Sequence, residues 1–278
     1  MTHLANGFSL LAMADSFVER GGGRITYEVH GQGPLVVLSH GMGENRHSYR
    51  HLVPLLVAAG YRVASVDVRG HGDSSVGWPT YAPAEVGGDL LAVVRDLGGG
   101  PATLVGNSSS AAAVVFAATD APELVNGIVL VGAFVAQPKL NPFMRLAVAA
   151  VVRSPRLFGM FHRTLFPMHR PADDAAYRRD LVAALRRPGR MAPVRGVIAP
   201  AEPHWTARAP QVRRPVLVLM GTKDPDFPDP AAEARAARRL FQVAEARMVT
   251  DAGHYPHADR PEAMAAELVD FLAVIDRG

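Results

Sequence analysis

Leu104-Val105-Gly106-Asn107-Ser108-Ser109-Ser110 is an apolar strand end that runs straight into a helix start built of small residues, Ala111-Ala112-Ala113. A strand, a sharp turn and a helix within so few residues require small side chains around the turn, because the two elements approach closely. Gly106 meets that requirement and Ser110 nearly does. Such a turn is expected to hold Ser108 in a strained backbone conformation, with its hydroxyl exposed at the carboxyl edge of a sheet. The pattern is G-x-S-x-G with its last glycine replaced by Ser110, and the motif alone fits a polar helix cap as well as a nucleophile.

The rest of the chain supplies the sheet that the turn needs. Strands are expected at Ile25–Val29, Leu35–Ser39, Arg62–Asp67, Ala102–Val105, Gly127–Val131, Val216–Met220 and Arg247–Thr250. Helices are expected at Tyr49–Ala59, Ala84–Leu97, Ser109–Thr119, Ala231–Phe241 and Pro261–Ile275, the last opening on a first-turn proline. Leu35–Leu38 and Val216–Leu219 are uninterrupted apolar runs, as strands covered on both faces should be. Strands alternating with helices imply right-handed crossovers, so the fold class is α/β, a doubly wound and mostly parallel sheet.

That rhythm stops over residues 137–207. Prolines 142, 155, 167, 171, 188 and 193 punctuate helical patterns there, and arginines far outnumber acids. A basic helical insertion between two core segments, 17–136 and 208–278, accounts for it. Residues 1–16 are expected to be a flexible lead-in: no basic residue precedes the apolar stretch Phe8–Ala14 and Asp15 follows it, a poor match to a signal peptide. Met1 and Met13 are both open as the initiator, and a cytoplasmic location is expected.

The 278 residues are 49% hydrophobic and 20% charged, which excludes intrinsic disorder as the main state. The net charge of +3 does not call for nucleic acid, and no apolar run approaches the ~20 residues of a membrane-spanning helix. With no cysteine present, thiolate metal sites and cysteine nucleophiles are excluded. Eleven histidines are present, yet His47 and His51 lack the carboxylates of a metal motif, so no metal is expected. Gly21–Gly23 and Gly98–Gly100 do not join a strand to a helix, so no nucleotide cofactor is expected either.

A serine hydroxyl is a weak nucleophile at neutral pH and needs a base, which in turn needs a carboxylate to fix its tautomer. Asp224 follows the strand Val216–Met220 through Gly221-Thr222-Lys223, and His254 closes Asp251-Ala252-Gly253-His254 after the next strand. The order Ser, Asp, His, each just past a strand end, differs from the chymotrypsin and subtilisin orders. Two further segments stand after apolar strands: Ser39-His40-Gly41-Met42-Gly43-Glu44 and Asp67-Val68-Arg69-Gly70-His71-Gly72-Asp73-Ser74.

With these segments the chain resembles the α/β-hydrolase superfamily over most of its length outside the insertion. The resemblance implies Ser108 as nucleophile, Asp224 and His254 as its partners, and backbone N–H groups of Met42 and Ser109 as the oxyanion hole. It implies structural roles for His40, Asp67, Arg69, His71 and Asp73. Asp226 is expected to be a turn residue, and His257 an exposed polar residue leading into the final helix. An insertion at this point of the superfamily fold roofs the nucleophile, which makes Phe143, Met144, Phe158, Met160, Phe161, Phe166 and Trp205 candidate pocket residues for a hydrophobic substrate. Its arginines have two readings, solvated faces or attraction to an anionic substrate or lipid surface.

The expected function is therefore cofactor-free hydrolysis of a small-molecule carboxylic ester through an acyl-enzyme on Ser108. His40-Gly41-Met42-Gly43-Glu44 resembles the oxyanion segment of monoacylglycerol lipases and lysophospholipases, which leans toward lipid-like esters. Epoxide hydrolases and haloalkane dehalogenases carry aspartate where Ser108 stands. A perhydrolase, a C–C bond hydrolase, or a slow-turnover ligand receptor with an intact triad are the open alternatives, as is the oligomeric state.

Overall fold

The computed structural model describes residues 16–98, 100–136, 140–197 and 204–277. Eight strands form one sheet: β1 Ser16–Arg20, β2 Gly23–His30, β3 Leu35–Ser39, β4 Arg62–Val66, β5 Ala102–Asn107, β6 Val125–Val131, β7 Val216–Gly221 and β8 Ala244–Val249. Their spatial order is β1-β2-β4-β3-β5-β6-β7-β8. The β1–β2 and β2–β4 pairings are antiparallel, and from β4 through β8 all neighbours are parallel. The α/β doubly wound class is thus observed. Strand β1 is a departure from the sequence reading: Ser16, assigned to the lead-in, pairs with Tyr27, and Gly21 turns the chain back at a φ of 54°. The remainder of the expected lead-in, and both candidate initiators, lie outside the described residues.

The apolar runs alternate across the sheet as a period of two demands. Val36, Leu38, Val105, Val131, Leu217 and Leu219 face a cluster completed by α1 (Val53–Ala58) and α11 (Pro261–Ile275). Val37, Leu104, Ile128, Leu130, Val218 and Met220 face the opposite cluster, completed by α2 (Pro83–Asp96), α3 (Ser109–Asp120) and α9 (Pro230–Arg238). Both faces are covered, which is why these strands read as continuous hydrophobic segments rather than alternating ones. The chain leaves β3 toward β4 on one side and returns to β5 on the other, so the sheet has its switch point between β3 and β5.

Between β6 and β7 the described residues carry helices and no strand: α4 Pro142–Val151, α5 Pro155–Thr164, α6 Asp174–Leu185, α7 Met191–Val197 and α8 Trp205–Arg208. Two of the prolines here start helices rather than break them, and Pro167, Pro171 and Pro188 lie between helices. Pro142 and Pro155 occupy first-turn positions, and the side chains of Asn141 and Ser154 cap the N–H groups of Met144 and Leu157. Val152, Phe158, Leu181, Leu185 and Val194 make a small separate cluster that takes in Met42 of the β3 loop. A short α10, Pro256–Asp259, precedes α11.

Candidate active site

Ser108 stands at the N-terminal boundary of α3, where its side chain makes no capping hydrogen bond, with φ 53° and ψ −115°, a positive-φ conformation costing a non-glycine residue about 1–3 kcal/mol. The elbow is held from several sides. Ser108 N donates to Val131 O at 2.7 Å. A Cβ on Gly106 would stand 2.3 Å from Ser110 O, and one on Gly41 would stand 3.1 Å from Ser108 Cβ, so strand, loop and helix meet here only because both positions lack side chains. Ser110, which replaces the usual glycine, is put to use: its hydroxyl donates to His40 O at 2.5 Å, tying the first turn of α3 to the β3 loop.

The structure brings Asp224 and His254 together. His254 Nδ1 lies 2.8 Å from Asp224 Oδ2, and both side chains are buried. A carboxylate at that distance makes Nδ1 the donor and fixes the tautomer. The β7 and β8 loops interlock to hold the pair: a Cβ on Gly221 would lie 2.2 Å from Gly253 O, and Asp251, at φ 57°, donates its N–H to Thr222 Oγ1 at 2.8 Å. Gly132, past the end of β6, leaves room for the imidazole, since a Cβ there would sit 3.0 Å from His254 Cε1. From the insertion, Leu165 O accepts the His254 N–H at 3.1 Å.

Burial opposes the imidazolium of His254, but the Asp224 carboxylate outweighs it, with a contribution from Asp226, and the pKa rises to about 9. Asp226 is a turn residue as expected, its N–H donating to Asp224 Oδ1 at 3.0 Å. Its carboxylate also comes within 3.7 Å of His254 Nδ1, a proximity that the intervening Pro225 conceals in the sequence. Burial raises the Asp226 carboxyl above its ordinary range, and the neighbouring Asp224 adds to that against the pull of His254. The ligand atoms of Asp224, Asp226 and His254 lie within 4.8 Å of one another, but Nδ1 points at the carboxylate at hydrogen-bond distance, which leaves no space for an ion between them.

The β3 loop lies against the elbow. His40 Nε2 accepts from Val68 N and His71 Nε2 accepts from Gly43 N, each at 3.1 Å. Burial lowers the pKa of both imidazoles, that of His71 to about 3, so they remain neutral acceptors. Asp67 receives N–H groups from Arg46 and Asp73, and Arg69 pairs with Asp89, so this polar turn is a brace. With Gly43 N occupied, the N–H groups of Met42 and Ser109 have no acceptor among the described residues.

Among the candidate pocket residues, Phe158 is fully buried and covers Gly43, and Phe166 is buried against Tyr255 at a ring distance of 5.4 Å. Phe161 is partly buried on Phe158. Trp205 is buried in the main core, with Nε1 donating to Phe134 O. Phe143, Met144 and Met160 are exposed. His257 corrects the sequence reading: it is fully buried, its Nε2 is 2.9 Å from Ser48 Oγ, and it packs on Tyr49. Pro256 starts α10 and turns that residue back into the core, which local polarity could not show.

The sequence reading missed the aromatic ring around His254, formed by Tyr255 at 5.2 Å, Phe134 at 6.1 Å and Phe227 at 6.4 Å. It also missed the buried junction at Glu44, whose Oε1 lies 2.6 Å from His162 Nε2 of α5 and whose Oε2 accepts from Tyr177 of α6. Burial works against that carboxylate, but His162 and Tyr177 overcome it and lower its pKa to about 2. Arg50 lies 4.0 Å above the Tyr177 ring and pairs with Asp173.

Epoxide hydrolase B of Mycobacterium tuberculosis is 45% identical over 78 residues, 27% of this chain and 22% of that protein, so the chain spans about a fifth of that relative. The sn-1-specific diacylglycerol lipase ABHD11 of Mus musculus is 26% identical over 86% of this chain and 81% of its own. The solved esterase RhEst1 from Rhodococcus sp. ECU1013 superposes with a TM-score of 0.79 at 26% identity, covering 95% of this chain and all of that one. The profile of the alpha/beta hydrolase family matches residues 36–267, and the chain belongs to that family.

Proposed function

We propose that the protein is a serine hydrolase that cleaves a carboxylic ester with a hydrophobic acyl or alcohol portion. The observation that carries this reading is a serine, not an aspartate, in the strained turn after β5, with a buried Asp224–His254 pair on the loops that follow β7 and β8 of the same sheet. The family resemblance implies an aspartate at this position in epoxide hydrolases, whereas a serine there needs a base. Nδ1 of His254 is engaged by Asp224, so Nε2 takes the Ser108 proton as the hydroxyl oxygen attacks the ester carbonyl. The N–H groups of Met42 and Ser109 receive the oxyanion; His254 then returns its proton to the leaving alkoxide. Water, deprotonated by the same imidazole, releases the acid and restores Ser108.

Helices of segment 137–207 act as the lid in this reading, with Phe158 against Gly43 of the β3 loop and Phe161 and Phe166 packed with Tyr255 of the β8 loop. Names of relatives, a diacylglycerol lipase and an esterase, agree with the substrate class. No cofactor takes part. The test is mass spectrometry after exposure to a fluorophosphonate, followed by a chain-length panel of chromogenic esters. The reading requires a single adduct on the peptide containing Ser108 and repeated turnover of esters; absence of labelling overturns it, and labelling with a single turnover assigns a ligand receptor instead.

A further inference from the structure

Helix α4 buries none of its residues. Val148 and Val151 lean on the small insertion cluster, whereas Phe143, Leu146 and Ala150, with Arg153 just beyond the helix, recur at intervals of three and four and share the opposite side. Phe143 is 80% exposed and Leu146 70%. Helix α5 packs on α4 and repeats the arrangement, with Phe158 and His162 inward and Arg156, Met160 and Arg163 outward. Leu157 and Met168 add exposed apolar area. Large side chains grouped outward in this way mark an interaction surface.

The charge carried by α4, α5 and the linkers around them is of one sign. No Asp or Glu occurs from Leu124 to Ala172. Arg145, Arg153, Arg156, Arg163 and Arg170 are exposed, and none forms an ion pair with a described residue; Arg153 reaches only Ala149 O. A second copy docking face to face would set these arginines against one another, and an uncharged apolar partner would leave them unmatched. An anionic bilayer suits both features, because guanidinium groups pair with lipid phosphates while Phe, Leu and Met enter the acyl boundary to a depth of ~5–10 Å. We propose that the outer face of α4 and α5 docks this protein on membranes containing anionic phospholipid.

The test is sedimentation of the full chain with sucrose-loaded vesicles of phosphatidylcholine alone or mixed with phosphatidylglycerol. Binding to the mixed vesicles is expected, with little on phosphatidylcholine and loss at high salt. Arg153→Ala with Arg156→Ala should weaken it roughly thirtyfold, about fivefold per guanidinium near the surface. Leu146→Ser with Leu157→Ser should weaken it roughly tenfold or more while soluble short-chain ester hydrolysis and melting temperature stay at the parent values. Equal sedimentation with both vesicle types overturns the proposal. So does binding of both variants within about twofold of the parent, or binding of soluble poly-glutamate that competes fully with the vesicles and is indifferent to the leucine pair.

Discussion

Asn107 Nδ2 donates to His254 O at 3.3 Å, so the residue immediately before Ser108 grips the backbone of the loop that carries the imidazole. The same amide also reaches Val131 O, and Asn107 is fully buried. Three loops from β5, β6 and β8 are thereby fixed relative to one another. Asn107→Ala should lower kcat by roughly a hundredfold, the scale of a ~1 Å misplacement of reacting groups, while fluorophosphonate still labels Ser108 slowly. A kcat within twofold of the parent would show that the loops hold their positions without it.

Ser108→Ala should reduce ester turnover by about 10⁶-fold, the scale for loss of a triad nucleophile, with thermal stability close to the parent because alanine keeps the Cβ and with it the same backbone strain. Steady-state kinetics on the best ester of the panel measure it; a fall below tenfold removes Ser108 from the reaction.

The pH–rate profile should rise from acid toward about 9, since His254 must be neutral to accept a proton and Asp224 holds its pKa above the ordinary imidazole value. The linked stability has the opposite slope. A raised folded-state pKa means the pair contributes fully below the ordinary value of 6.5, and that contribution fades as pH climbs through about 9. Asp226→Asn removes a second carboxylate 3.7 Å from Nδ1 and should move the kcat/KM midpoint to lower pH. An unmoved midpoint would make Asp226 a turn residue alone.

Glu44 provides an acid-side test. Its folded pKa of about 2 lies below the ordinary 4.5, so the stability it contributes is present above 4.5 and is lost as pH falls toward 2. Glu44→Gln should cost about 1–3 kcal/mol at pH 7 by leaving His162 and Tyr177 poorly matched, and should flatten the acid limb of stability against pH. Urea unfolding across that range measures both effects; an unchanged acid limb would place the acid-labile group elsewhere.

The amino-acid sequence by itself determined the α/β order of elements, the parallel sheet and the positions of Ser108, Asp224 and His254 at strand ends, because those depend on local periodicity and on glycine-lined turns. It was silent on β1, whose five residues carry no strong pattern and pair only because Gly21 and Gly22 fold them onto β2. Only the tertiary structure decided that His257 is buried, that Asp226 reaches His254, that Phe134, Phe227 and Tyr255 surround the imidazole, and that Glu44 is shared with α5 and α6. Each of these joins residues far apart in the chain or turned by a single proline. Burial and electrostatic environment belong to the space where several segments meet, and a linear pattern encodes the segments without encoding that meeting.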